Sequence, residues 1–378
     1  MQNFYKTPIP MPALDASARP ARPDGSTDQN PEFSHDGGVA MHPATIGYCE
    51  LSVSAALAGL LQVVAASGYR FITVTPVTHR RILAHRARQP GETMRDIFGW
   101  NLPFAADCLS PSLLALMREA NVLQQDGTLY RSTVRISSIG DDLFLHSGFP
   151  TSQDDAVFFG PDTYRFARFI EQALVDAMPC KPGLRVLDIG CGSGAGGIIV
   201  ARTLARCAMD ASDTTDAAPS PALVMNDINA HALRLTAVNA AQAALPITIA
   251  AGDALSCVEG EFDLIISNPP YMDDEAQRAY RHGGARLGLA LSVRIAGQAL
   301  TRLAPGGRLM LYTGVAILDG RDPFLAELLP LLATAGCEWS YGEIDPDIFS
   351  EELDHPQYAR AERIAAVGLV ATRKMQAG

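Results

Sequence analysis

Residues 185–194 read Arg-Val-Leu-Asp-Ile-Gly-Cys-Gly-Ser-Gly, the pattern that most clearly indicates the fold of this chain. Its first half is apolar and predicts a buried strand. Its glycines let the backbone turn sharply and approach a ligand closely while the next helix packs on the strand. Dinucleotide-binding enzymes use such a turn, and so does helix packing alone. The segments that follow therefore decide what the turn binds.

Strand-like and helix-like segments alternate around this turn, from about Val157 to Arg373. Strands are predicted at 185–188, 222–226, 247–250, 262–266 and 308–312, with helices running to Cys207, over 230–241 and over about 286–303. Near-continuous apolar strands between helices indicate a parallel sheet that is covered on both faces. We therefore expect an α/β fold with a doubly wound, seven-stranded Rossmann-like sheet, and a surface insertion at residues 208–221.

The chain is expected to divide into three parts. Residues 1–43 hold seven of the 25 prolines and few large apolar side chains, so they bury too little surface to offset the entropy of ordering. They are expected to be a flexible Pro-rich tail. Residues 44–147 are expected to form a smaller, mainly helical substrate-recognition domain, in which Ser110 caps a helix. A β-rich run at 129–136 then begins a two-stranded hairpin, an arrangement that resembles a winged-helix module. Residues 148–378 then carry the sheet.

Composition limits the possible partners. The chain holds 30 Lys and Arg against 41 Asp and Glu, a net charge of −11, so nucleic-acid binding would require a local basic stripe. The seven cysteines form no Cys-x-x-Cys pair, which predicts neither a metal site nor disulfides and favours a cytoplasmic location. The start of the chain shows no secretory signal. The apolar stretch Leu51 to Ala66 is interrupted and short for a membrane span, so it is expected to be a buried helix.

Polar side chains follow the next three predicted strands. Asp227 closes the second strand, where a carboxylate can accept hydrogen bonds from both ribose hydroxyls of a nucleoside. Asp253 follows the third strand, where its side chain or the neighbouring backbone can reach an adenine edge. The fourth strand ends in Asn268-Pro269-Pro270-Tyr271. Because ligands of open α/β sheets bind at the carboxyl ends of the strands, we expect these residues to share one site.

In this order, the Gly-rich turn, the two aspartates and the Asn-Pro-Pro-Tyr motif resemble class I S-adenosylmethionine-dependent methyltransferases of the amino-methylating kind. The chain is most similar to HemK-type glutamine N5-methyltransferases and the small-domain rRNA methyltransferases, over roughly Phe158 to Val370. The resemblance implies a methyltransferase catalytic domain over 148–378 and S-adenosyl-L-methionine as cofactor. The segment Gly160 to Tyr164 resembles the one that covers the cofactor in HemK-like proteins. The cofactor-binding residues implied are Thr163, Asp188, Gly190, Cys191, Gly192, Gly194, Asp227, Ile228, Asp253, Ala254 and Asn268.

The Asn-Pro-Pro-Tyr motif suits methyl transfer to a planar nitrogen, whose lone pair is delocalised and has to be aimed at the methyl carbon. The side-chain oxygen of Asn268 and the carbonyl of Pro269 can accept hydrogen bonds from the two N–H groups and favour pyramidalisation. Pro269 and Pro270 stiffen the turn, and Tyr271 can stack on the acceptor. These four residues are therefore the expected catalytic residues, acting by positioning and electrostatic preorganisation.

Three functions remain open from the sequence. The first is N-methylation of a protein glutamine or a small-molecule amide or amine. The second is methylation of adenine or guanine in rRNA or another nucleic acid, which acidic charge disfavours but a local basic cluster favours. That cluster comprises His79, Arg80, Arg81, His85, Arg86 and Arg88. The third is a non-catalytic cofactor-binding regulatory protein.

Overall fold

The computed structural model describes residues 48–86, 89–151, 153–175, 183–211, 220–274, 278 and 280–375. The tail expected at 1–43 lies outside these residues. The α-helices are α1 (Tyr48–Ala66), α2 (Pro76–Arg86), α3 (Pro111–Glu119), α4 (Pro161–Val175), α5 (Ala195–Ala211), α6 (Ala230–Gln242), α7 (Leu289–Leu300) and α8 (Pro323–Ala335). The strands are β1 (Leu123–Asp126), β2 (Leu129–Ser132), β3 (Val134–Ile139), β4 (Asp142–Ser147), β5 (Arg185–Ile189), β6 (Ala222–Asp227), β7 (Ile247–Ala251), β8 (Phe262–Ser267), β9 (Leu303–Leu318), β10 (Cys337–Asp345) and β11 (Ala361–Arg373).

The main sheet has seven strands in the order β10-β11-β9-β8-β5-β6-β7. Strands β5 to β9 pair with one another in parallel, whereas β11 is antiparallel to both β9 and β10. The expected α/β, doubly wound fold is confirmed, with the correction that one strand of the sheet is reversed. The chain builds outward from β5 through β6 to β7 and then returns to β8 on the other side of β5. The crevice at this reversal is where ligands bind in open α/β sheets.

Alternating side chains of the central strands form the cores on the two faces of the sheet. On one face, Val186 and Ile266 pack in the same cluster as Phe166 of α4. On the other face, Leu187 and Ile265 belong to the cluster that contains α7 and α8 side chains. Because side chains alternate along a strand, a run that is apolar at every position requires cover on both faces.

The N-terminal part of the described chain contains α1 to α3 and two separate hairpins, not the single wing that the sequence predicted. The predicted β-rich run 129–136 is divided at Thr133, so that β2 pairs with β1 while β3 pairs with β4. The predicted cap is confirmed, since the Leu113 N–H donates to Ser110 Oγ at 3.3 Å. The described residues from Tyr48 onward form one compact unit, and the domain division at residue 147 stays a prediction.

Asn239 of α6 joins the β3–β4 hairpin to the Gly-rich turn. Its Oδ1 accepts a hydrogen bond from the Leu145 N–H at 2.8 Å, and its Nδ2 donates to the carbonyls of Leu145 at 3.1 Å and Ser193 at 2.9 Å. The side chain is fully buried. It therefore satisfies three backbone groups that could not otherwise reach water.

Three predicted segments have wrong boundaries. The strand predicted at 308–312 is only the middle of β9, which spans Leu303–Leu318. The helix predicted over about 286–303 spans only Leu289–Leu300, because Arg286 and Leu287 have φ of 63° and 57° and cannot continue a right-handed helix. Helix α5 continues to Ala211, so the insertion predicted at 208–221 begins inside a helix, and its residues 212–219 lie outside the described chain. Helix α1 packs Leu57, Leu60 and Leu61 into the core, as expected for a buried helix. Across the described ranges, none of the helices combines the length and the apolar character that a membrane crossing needs.

Candidate active site

A cavity opens at the carboxyl ends of β5, β6, β7 and β8 and collects nearly all the residues that the sequence singled out. The predicted residues that line it are Thr163, Asp188, Gly190, Cys191, Gly192, Asp227, Ile228, Asp253, Ala254, Asn268, Pro269, Pro270 and Tyr271. Their roles in binding and catalysis remain predictions.

Gly194 is the exception, since it does not line the cavity. Its φ is 78°, and a Cβ at this position would lie 2.9 Å from Thr236 Cγ2 of α6. It therefore permits a left-handed turn and the close approach of α6, which are packing roles. Gly190 and Gly192, with φ of 68° and 56°, do line the cavity.

Asp188, near the end of β5, is buried with one carboxylate oxygen accepting a hydrogen bond from the Gly197 N–H at 2.8 Å. Burial raises the pKa of Asp188 to about 7, the Gly197 hydrogen bond opposes that rise, and the charge of Asp227 adds to it. A carboxyl that burial keeps partly protonated near pH 7 ionises fully when a cation binds beside it. The site thus offers a buried partner for an ammonium group.

Asp227, at the end of β6, is fixed by backbone donors from two loops. Its Oδ2 accepts from the Gly192 N–H and its Oδ1 from the Asn229 N–H, both at 2.9 Å. Burial raises its pKa, and these hydrogen bonds oppose the rise. Because an ionised carboxylate has about four acceptor positions, each oxygen keeps capacity for a further donor such as a ribose hydroxyl.

Asp253, after β7, faces the cavity from a more exposed position and is already paired. Its two oxygens accept from the two terminal nitrogens of Arg294 of α7, each at 2.9 Å. The pairing fixes the carboxylate in a bidentate geometry. It was not evident from the sequence, because Arg294 lies 41 residues further along the chain.

The cover segment Gly160 to Tyr164 was predicted to lie just before a helix, but it forms the start of α4. The helix begins at Pro161, and Gly160 N–H donates to Thr163 Oγ1 at 3.3 Å. Asp162, which precedes Thr163 and also lines the cavity, is buried. Its Oδ1 accepts a hydrogen bond from Tyr312 Oη at 3.1 Å and lies 3.1 Å from Arg165 Nη1. Burial raises the pKa of Asp162 to about 6, against the opposing effect of Arg165.

The Asn-Pro-Pro-Tyr turn at the end of β8 carries two buried polar atoms without partners. Asn268 Oδ1 and Tyr271 Oη are both buried, and neither forms a hydrogen bond within the described chain. The carbonyl oxygen of Pro269 also accepts no hydrogen bond from the described residues. Buried polar groups in proteins are nearly always satisfied, so unsatisfied atoms at a cavity point to a ligand.

The ring of Tyr271 contacts Gly314 and Phe349. A Cβ on Gly314 of β9 would lie 2.3 Å from Tyr271 Cε2, so the ring lies directly on this glycine. Phe349 also lines the cavity, and its ring makes an edge contact with Tyr271 at 6.2 Å between centroids. Stacking of Tyr271 on an acceptor stays a prediction.

Several cavity residues were missed because they come from segments without a motif. Phe158 and Tyr280 lie with their ring planes 6° apart and their centroids 6.4 Å apart, and Arg281 pairs with the buried Glu352. Phe349 enters from the segment between β10 and β11. The aromatic pair Phe158-Phe159 next to the cover segment was the one sequence signal that was available.

The predicted basic cluster is only partly a free surface. Arg80 and Arg81 are exposed, but Arg86 pairs with Asp96 at 2.8 Å and lies over the Trp100 ring. His79 is buried, and burial lowers its pKa to about 4. Arg88 lies outside the described residues.

Residues 170–316 match the family described as Methyltransferase small domain. A release factor glutamine methyltransferase of Koribacter versatilis is 31% identical over 162 residues, which cover 39% of this chain and 52% of the relative. One of Deinococcus radiodurans is 32% identical over 191 residues, 47% of this chain and 58% of the relative. Ribosomal RNA small subunit methyltransferase C of Haemophilus influenzae is 33% identical over 134 residues, 34% and 36% of the two chains.

The chain thus spans little more than half the length of the two glutamine methyltransferases and about a third of the rRNA methyltransferase. All three relatives are named as methyltransferases, and the family match at residues 170–316 lies within the segment where the sequence predicted a methyltransferase domain.

Proposed function

We propose that this chain is an S-adenosyl-L-methionine-dependent N-methyltransferase whose acceptor is the planar nitrogen of an amide or amine. The observation that carries the proposal is the buried, unpartnered Oδ1 of Asn268 at the cavity. An acceptor N–H group would satisfy this oxygen. Leaving it unsatisfied costs about 1–3 kcal/mol, so the atom is poised for a donor that is not part of the chain.

The residues of the cavity fit S-adenosyl-L-methionine. The buried carboxyl of Asp188 suits the amino group of its methionine part, and the remaining acceptor positions of Asp227 suit the ribose hydroxyls. Asp253 and Ala254 line the same cavity and would contact the adenine. When bound, the cofactor supplies an electrophilic methyl group on a positively charged sulfur.

The chain's own contribution is to hold the acceptor nitrogen. Asn268 Oδ1 and the Pro269 carbonyl would accept hydrogen bonds from its two N–H groups, which fixes the orientation of the nitrogen and favours its pyramidal form. A strong base is unnecessary, because the nitrogen becomes acidic once it carries the methyl group. Two fixed acceptors at a rigid turn therefore supply positioning and preorganised electrostatics, the main sources of rate for this step.

A protein glutamine or a small-molecule amide is the favoured acceptor. The chain carries a net charge of −11, and within the basic cluster Arg86 is neutralised by Asp96 while His79 is buried. The relatives named for glutamine methylation support this choice. A nucleic-acid base is the second candidate, supported by the exposed Arg80 and Arg81 and by the relative named for rRNA methylation.

The test compares Asn268→Ala with Gln298→Ala. Gln298 of α7 also has a buried, unpartnered side-chain oxygen, but it does not line the cavity, so it matches Asn268 in chemistry and burial. Each variant is incubated with methyl-labelled cofactor and cell lysate fractionated into protein, RNA and small molecules. We expect Asn268→Ala to lower turnover by about 100-fold or more, as loss of one transition-state hydrogen bond does, with little change in cofactor affinity.

Gln298→Ala should retain turnover. Full turnover by Asn268→Ala would contradict the proposal, as would loss of cofactor binding with retained turnover. The fraction that takes up the label identifies the acceptor: label in RNA alone would replace the favoured acceptor with the second candidate.

A further inference from the structure

A second pocket, of about 560 Å³, lies between α4 and the N-terminal segments and shares no lining residue with the first cavity in the described chain. It is called the basic pocket below, and the residues that line it include Arg70, Phe71, Ile72, Arg95, Trp100 and Arg168. We propose that the basic pocket binds a small phosphomonoester, with the phosphate on Arg95 and Arg168 and the organic part on the apolar floor. This inference is independent of the proposed methyl transfer.

The basic pocket carries positive charge that the described chain does not neutralise. Arg70 pairs with Asp141 at 2.9 Å, and the single acidic residue of the lining, Glu171, pairs with Arg206 at 2.9 Å. Arg95 and Arg168 are exposed and form no ion pair with any described residue, and one terminal nitrogen of Arg95 donates a hydrogen bond to the Arg70 carbonyl. Two unpaired guanidinium groups thus line one pocket of a chain whose net charge is −11.

A third guanidinium group lies behind the pocket floor. Arg135 is only 5% exposed, forms no ion pair within the described residues, and lies 5.7 Å from the Phe71 ring. Arg95 lies 5.3 Å from the same ring. The low polarity around buried Arg135 weakens the screening of its charge. The positive charges of Arg95 and Arg135 repel each other, and a bound anion would offset this repulsion. Arginine suits a phosphate, because its paired N–H groups can donate to two phosphate oxygens.

The floor of the basic pocket favours an organic ligand over an inorganic anion alone, although Phe71 itself is only 1% exposed. Phe71 and Trp100 pack edge to face at 5.2 Å, and Ile72 leaves 61% of its surface exposed. An exposed isoleucine beside a half-buried tryptophan offers apolar surface to a ligand. The volume falls within the range of pockets that hold small organic ligands. Because Arg95 and Arg168 line the same pocket, the proposal favours a small molecule over a nucleic-acid strand.

The test uses the intrinsic fluorescence of Trp100. The chain has two tryptophans, and the other, Trp339, is on β10, so Trp339→Phe makes Trp100 the only reporter. The full-length variant is titrated with uridine 5′-monophosphate, uridine and inorganic phosphate. We expect the nucleotide to change Trp100 emission and to bind at least about tenfold more tightly than either part, with an affinity that falls as salt rises.

Substitution of the arginines tests the assigned contacts. Arg168→Gln should weaken nucleotide binding several-fold, and the Arg95→Gln, Arg168→Gln double variant by at least about tenfold, as expected for lost charge-assisted hydrogen bonds. Arg360→Gln, an exposed arginine paired with Asp319 outside the basic pocket, is the matched control and should bind normally. Circular dichroism verifies folding, and Arg168→Gln serves alone if the double variant unfolds.

Four outcomes with these probes and variants would overturn the proposal, and a fifth comes from an RNA probe. They are no change in emission with any probe, equal affinity for uridine and its monophosphate, equal affinity for inorganic phosphate and the nucleotide, and unchanged affinity in the arginine variants. An RNA oligonucleotide is added as a further arm. Binding of RNA without binding of the mononucleotide would replace the small-molecule ligand with a strand and would also overturn the proposal.

Discussion

The aromatic ring of Tyr271 lies against the backbone of Gly314, so closely that a Cβ on this glycine would be 2.3 Å from ring atom Cε2. Gly314 belongs to β9, whereas Tyr271 ends the turn after β8, and the two strands are adjacent in the sheet. The glycine thus sets where the ring stands in the cavity.

Gly314→Ala should displace the Tyr271 ring and lower turnover by about tenfold, because small shifts of positioning groups strongly reduce rates. The backbone of Gly314 is not in the left-handed region, so alanine strains nothing except the ring contact. Steady-state kinetics with the identified acceptor measures the effect. Gly297→Ala is the control, since its Cβ would meet Leu331 at an ordinary 3.7 Å. Equal turnover in both variants would show that the ring position does not matter.

The buried carboxyl of Asp188 should make stability fall as pH rises. Its pKa is raised from 3.8 to about 7 in the folded chain, so the folded state holds the proton more tightly than the unfolded state. The stability from this group is complete below about pH 4 and is lost as pH rises toward 7, by an amount on the order of 4 kcal/mol. Asp188→Asn cannot ionise and should not show this loss.

The measurement is the free energy of unfolding by urea between pH 4 and 8, without cofactor, for the unmodified chain and for Asp188→Asn. The difference between them should shift in favour of the variant with rising pH and become constant above about pH 7. A difference that does not depend on pH would contradict the raised pKa.

Arg294→Ala should change cofactor affinity more than stability. The Asp253–Arg294 pair is exposed, so its loss should cost less than about 1 kcal/mol of folding free energy. If Asp253 contacts the adenine through its carboxylate, loss of the bidentate contact should weaken cofactor binding several-fold. Calorimetry on Asp253→Asn, Arg294→Ala and the double variant measures this. Additive effects of the two substitutions would show that the pair does not act as a unit.

Asn239→Ala should destabilise the chain by about 3 kcal/mol, because it leaves the Leu145 N–H and two carbonyls buried without partners. Cofactor affinity should also fall, since one of these carbonyls belongs to Ser193 of the Gly-rich turn. Urea unfolding and calorimetry measure both effects. Gln125→Ala removes an exposed amide from the β1–β2 hairpin and should change neither quantity. Wild-type stability of Asn239→Ala would show that water replaces the carboxamide.

The sequence predicted the sheet well where local pattern and tertiary environment agree. Apolar runs placed β5, β6, β7 and β8 within a residue or two, because strands buried on both faces must be apolar throughout. The division of the run at 129–136 into two strands was not predicted, because its β propensity is uniform. The break at Thr133 arises only because β2 pairs with β1 and β3 pairs with β4. Likewise, nothing local in β11 indicates that it runs against β9.

Sequence pattern alone was sufficient to predict the fold class and most of the residues around the cavity, because a parallel α/β sheet brings the residues that follow its strands to one edge. The tertiary contacts show which of these residues line the cavity and which pack: Gly194 packs against Thr236, Asp253 pairs with Arg294, and the Tyr271 ring lies on Gly314. It also created the basic pocket, whose arginines come from separate segments. Such contacts join residues that are far apart in the chain, so the local sequence pattern around each residue cannot predict them.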